Sequence, residues 1–136
     1  MGKISNKFFG ELSYDCQWEK EDVAMIGGNS IPITTIVEAL PGEKITEIQE
    51  KNYQAIKEKS NLIEDGAFSS ICEYVKKNYG RSFATQKDVM DYMKLQSVLY
   101  KQNGKVVALF SIPDDELGVG VELIPAFSIG PQDLYL

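Results

Sequence analysis

The chain has 136 residues, 43% of them hydrophobic and 25% charged, and its formal net charge is −6. That length fits one domain, residues 1–136, and the composition excludes a disordered or fibrous chain. No apolar stretch approaches the ~20 residues that span a bilayer as a helix, so no membrane association is expected.

Met1-Gly2-Lys3-Ile4-Ser5-Asn6-Lys7 has two lysines but no apolar run behind them, unlike a signal peptide. Asn6 stands where a myristoylation pattern wants Ser or Thr. The expected location is therefore cytoplasmic. Cys16 and Cys72 lie far apart, and in a reducing compartment they read as two buried thiols rather than a disulfide.

In chain order, Leu12-Ser13-Tyr14-Asp15-Cys16-Gln17-Trp18 alternates, which predicts a strand with Leu12, Tyr14, Cys16 and Trp18 on one face. Val23-Ala24-Met25-Ile26 is a second short run. Gly27-Gly28-Asn29-Ser30 supplies residues that tolerate positive φ in a tight turn, and a β-branched strand over 31–39 follows. Pro41-Gly42 ends this antiparallel meander. Ile45, Ile48, Ala55, Ile56, Leu62 and Ile63 share one face at helical spacing, a surface helix that Gly66 should break. Phe68, Ile71, Cys72, Val75 and Tyr79 form a second helical stripe, stopped by Asn78 and Gly80. Thr85 followed by Asp88 predicts the N-cap of a short third helix. Strands return over 95–101 and 105–112, joined by Asn103-Gly104 as a type I′ hairpin turn. Residues 113–118 read as a longer connection before a strand with Val119, Val121 and Leu123, and a short segment follows at 127–129. The fold class is α+β: an antiparallel sheet from N- and C-terminal strands, with two to three central helices packed on one face.

The chemistry is defined mostly by what is missing. The chain has no histidine. That removes Ser-His-Asp and Cys-His catalysis, histidine acid–base work and nearly all catalytic zinc sites. No glycine-rich phosphate loop opens a helix. No catalytic residue, metal site or cofactor is expected. Carboxylate chemistry survives, and the one cluster able to carry it is Asp114-Asp115-Glu116, whose spacing is not that of a calcium loop. A solvated turn between two strands explains that cluster better than chemistry does, and Glu38, in an otherwise apolar strand, is a second candidate that an exposed sheet face explains better. Residues 106–136 carry five acids (Asp114, Asp115, Glu116, Glu122 and Asp133) and no Lys or Arg. This argues against nucleic acid and permits a basic protein partner. Asp114, Asp115, Glu116, Glu122 and the aromatic Trp18 are the candidate partner-binding residues.

Phe9-Gly10-Glu11-Leu12-x-Tyr14 with Trp18 shortly after resembles the start of a bacterial family of domains of unknown function. Pro113-Asp114-Asp115-Glu116-Leu117-Gly118-Val119-Gly120-Val121 resembles that family's closing element, with Leu117 where its histidine is expected. The resemblance implies an immunity-protein-like, toxin-neutralising role, and it supplies no catalytic residues. Three readings follow. The first is a non-catalytic protein-binding module that meets a basic partner. The second is a small-molecule or metal-binding protein, or an enzyme, using the 114–116 carboxylates. The third is a structural domain that pairs as a homodimer through a sheet edge.

Overall fold

Strand formation begins earlier than the alternation at Leu12 predicts. β1 (Lys3–Asn6) pairs with β2 (Gly10–Asp15), and β3 (Gln17–Ile26) and β4 (Asn29–Val37) continue the antiparallel meander. The computed structural model describes residues 2–136 apart from Cys16, Gly27, residues 40–41, Ser60 and Glu64, and for residues 15, 65 and 66 it describes only the backbone. Residues 12–18 are thus not one strand. The chain reverses between β2 and β3, and Tyr14 and Trp18 meet as cross-strand partners. They still share a face, because directly opposed residues point to the same side of a sheet. The expectations for Cys16, Gly27 and Pro41 lie outside the described residues. Gly28 adopts φ +82°, the left-handed conformation that the β3–β4 turn requires.

The helical middle comprises α1 (Glu47–Lys57), α2 (Asp65–Tyr79) and α3 (Gln86–Tyr92). α1 opens with a capping box: Thr46 accepts from the Gln49 N–H, and the Gln49 side chain accepts from the Thr46 N–H. The helix stops at Lys57, so the expected apolar stripe running on to Leu62 and Ile63 is not continuous helix. Those two residues are buried from the connection, where the Leu62 N–H donates to Met25 O at 2.6 Å. Gly66 lies within the first turn of α2 instead of separating the helices. α2 buries Phe68, Ile71 and Val75 as its stripe predicts, and Gly80 follows it at φ +68°. The Thr85 hydroxyl caps α3 by accepting from the Asp88 N–H.

β5 (Lys94–Tyr100), β6 (Val106–Ile112), β7 (Asp115–Ile124) and β8 (Ser128–Pro131) complete the sheet, and a 3₁₀ turn, Gln132–Leu134, follows. Two loop lengths differ from expectation. Lys101 N–H donates to Lys105 O, which leaves three residues in the β5–β6 turn instead of two. β6 and β7 are joined tightly, with Ile112 opposite Asp115, so most of the stretch expected as a long connection is strand.

Among the described residues the eight strands form one sheet in sequence order, and it is not purely antiparallel: β4 and β5, at its centre, run parallel. The connection between them contains all three helices, and a parallel pair needs such a crossover. The protein is α+β in content, with strands outweighing helices. Tyr53, Ile56, Phe68, Ile71, Val75 and Val89 of the helices share one core with strand residues such as Leu12, Val37, Val98, Phe110 and Val121. Leu99, Val107 and Leu109 are buried outside that core. By strand alternation they face the other side of the sheet, where a Cβ at Gly120 would fall onto the ring of Tyr135.

Candidate functional site

Gln49 does more than cap α1. Its side-chain amide donates to Glu38 O at 2.8 Å and to Tyr100 O at 2.9 Å, tying the start of the helix to the adjoining ends of β4 and β5. Residues four and eight positions on share its face, so Tyr53 and Lys57 are delivered over β3. There the alternation that carries Trp18, Ala24 and Ile26 also turns Lys20 and Asp22 toward the helices.

Asp22 is the hub of the resulting network. Its Oδ1 accepts from the Lys57 ammonium at 2.7 Å and from the Val23 N–H at 2.9 Å. Its Oδ2 accepts from the Tyr53 hydroxyl at 2.7 Å and the Thr35 hydroxyl at 2.9 Å, with the Lys20 ammonium 3.9 Å away. Lys20 donates to Phe9 O and lies over the Tyr53 ring, which also stacks on Phe9. Only 9% of the Asp22 side chain is exposed. Burial alone would raise its pKa, but the donors from Lys57, Tyr53, Val23 and Thr35 outweigh burial and hold it down to about 2. Burial and the neighbouring carboxylate push the Tyr53 hydroxyl well above the usual tyrosine range. At neutral pH the pair is a fixed carboxylate and a fixed phenol. Neither is poised to exchange a proton with a substrate.

A cavity of about 220 Å³ adjoins this network, with Asp22, Thr35, Lys57, Ile33, Ile56 and Tyr100 in its wall. A wider cavity of about 410 Å³ lies beside α3, lined in part by Ile26, Ile31, Phe68, Met90 and Met93. Neither is lined by the acids that the sequence singles out.

Those acids have other partners. Asp114 receives a two-pronged bond from Arg81, at 2.8 and 3.1 Å, and a third from the Tyr92 hydroxyl. These donors lower its pKa, Arg81 contributing most. Asp115 accepts from the Tyr79 hydroxyl at 2.9 Å and from the Leu117 N–H. The β6–β7 turn is therefore clamped to the end of α2 and to α3. Glu122 is 3.7 Å from Lys105, and Glu38 accepts from the Gln102 N–H and so braces the β5–β6 turn. Glu116 is exposed. Trp18 packs edge-on against Tyr14, with ring centroids 5.0 Å apart, and lies against the core. Among the described residues no group of three or more His, Cys, Asp or Glu is arranged to hold a metal ion. Cys72 is a free thiol, and no helix is long and apolar enough to cross a membrane.

The sequence points to Asp114 and Asp115, but the structure gathers its densest polar network around Asp22. The missed signal is alternation carried through Trp18-Glu19-Lys20-Glu21-Asp22, which places a lysine and an aspartate on the core face. No protein-family model, curated protein or solved structure matches the chain.

Proposed function

We propose that this protein is a non-catalytic protein-binding module whose partner is basic, a role of the toxin-neutralising kind that the resemblance of its two ends implies. One surface feature carries the proposal. Gly118 lies against Gln132, which brings Glu116-Leu117 and Asp133-Leu134 to the same end of the sheet. Leu117 is 65% exposed and Leu134 is 72% exposed, and both flanking acids are exposed. Apolar side chains offered to water beside unengaged carboxylates suit an interface that uses charge to orient a partner and apolar contact to hold it. Asp114 and Asp115 brace the turn that leads into that surface, their charges already met by Arg81, Tyr79 and Tyr92, whereas Glu122, near Lys105, lies toward the other end of β7. A cytoplasmic location belongs to the same proposal.

Tagged protein retained with host proteins at low and at high salt tests it, with the captured partner identified and then purified. A basic protein bound by the wild type, weakened by salt and lost with Glu116→Lys/Asp133→Lys and with Leu117→Asp/Leu134→Asp, is the expected result. No partner at either salt, or a partner held equally by both double variants, would contradict it.

A further inference from the structure

We infer that the 220 Å³ cavity beside Asp22 is a binding site for a small, uncharged, mostly apolar molecule carrying one hydroxyl or carbonyl group. Two independent observations meet there. The first is the space. Ala24, Ile33, Ile56, Leu62 and Val98 give the cavity an apolar wall of side chains from both the sheet and the helical segment. A dry engineered cavity of about 150 Å³ already takes up benzene, so this one has room for roughly eight or nine non-hydrogen atoms.

The second is Tyr100. It is 1% exposed and lines the cavity, yet its hydroxyl makes no hydrogen bond to any described residue. Its ring is fixed by edge contacts with Phe9 and Tyr53, at centroid distances of 5.4 Å in both cases. A phenol in the cavity wall whose hydroxyl no described residue engages can exchange a hydrogen bond with a water or a ligand there. The wall carries three charged residues, Asp22, Lys57 and Lys59, and the first two are committed to each other. Asp22 already accepts four hydrogen bonds, and the Lys57 ammonium is committed to Asp22 and to Val23 O. An acid or an amine entering the cavity would find the Asp22 and Lys57 charges answering each other. A neutral molecule would exchange one hydrogen bond with Tyr100 and bury the rest of its surface against the aliphatic wall.

The test uses the full chain and three probes of matched size: phenol, benzyl alcohol and toluene. Amide and methyl NMR shifts locate binding, and titration measures affinity. The expected result is saturable binding of both hydroxylated probes, with shifts centred on Ile33, Ile56, Leu62 and Val98, at least fivefold tighter than toluene. Tyr100→Phe should bring phenol and benzyl alcohol down to the affinity of toluene while toluene binding is retained. That retention also shows that the variant is folded. Four outcomes would overturn the inference: no saturable shift from any probe, shifts centred elsewhere, toluene binding as tightly as phenol to the wild type, or a phenol affinity unchanged by Tyr100→Phe. The first of these would mean that the cavity holds water only.

Discussion

Two carboxylate clusters in this protein are built from the same parts and end in different roles. Asp22 collects a lysine, a tyrosine and a threonine. Asp114 collects an arginine and a tyrosine, and its neighbour Asp115 takes a second tyrosine. The difference is solvent. Asp22 sits between the sheet and α1 with its side chain 9% exposed, whereas the Asp114 side chain is 33% exposed and that of Arg81 is 54% exposed. In the first setting a charge must be matched by donors or it opposes folding. In the second, water already solvates both partners, and the bond mainly fixes geometry. The comparison also explains why a cluster of acids is a poor pointer to chemistry in this chain. The acids adjacent in sequence form a clamp, and Asp22, drawn between the sheet and α1, forms a structural hub.

The largest effect that separates the two clusters should come from Asp22→Ala. It removes the acceptor for four donors and leaves the Tyr53 and Thr35 hydroxyls unmet, at a cost of about 3 kcal/mol. For a domain of this size that lowers the melting midpoint by roughly 10 °C. Calorimetry checks it, and a change within about 1 °C would erase the distinction between the two clusters. At the other extreme, Arg81→Ala should barely move the melting midpoint, and what shift there is should vanish in high salt. Hydrogen exchange sharpens the comparison: loss of Arg81 should loosen amides near the β6–β7 turn and at the end of α2 while those of β3 and α1 stay protected. Global loss of protection would mean that the exposed clamp carries stability as well.

Legibility in the sequence follows the range of the interactions. The β3–β4 turn at Gly28, the apolar stripe of α2 and the Thr85 cap of α3 are set by residues a few positions apart, and each is where the sequence puts it. The β1 strand and the reversal between Tyr14 and Trp18 were hidden because continuous alternation cannot show where a strand folds back on itself. The parallel pairing of β4 with β5 depends on where the intervening helices return the chain, which local pattern does not encode. For the site the contrast is sharper. Glu19-Lys20-Glu21-Asp22 reads as a solvated run, and Asp22 is withdrawn from water only because α1 brings Tyr53 and Lys57 from 31 and 35 residues away. The turn at Asp114 was correctly read as largely open to solvent, but its Arg81 partner lies 33 residues upstream and could not be inferred. The cavity beside Tyr100 had no signature at all, because it is enclosed by residues from β3, β4, α1, the α1–α2 connection and β5.

A site-resolved NMR titration of the Asp22 carboxyl carbon tests most directly whether the buried carboxylate is structural and not catalytic. Its folded pKa of about 2 lies below the ordinary 3.8. The stabilisation from that difference is therefore fully present above about pH 4 and is lost as the pH falls through about 2. It amounts to about 1–2 kcal/mol once screening on the Lys57 side is allowed for. The predicted result is a carboxyl that stays ionised down to a midpoint near 2. A midpoint at or above the ordinary aspartate value would contradict the account, because it would mean that the four donors do not hold the charge and that Asp22 is free to take up a proton.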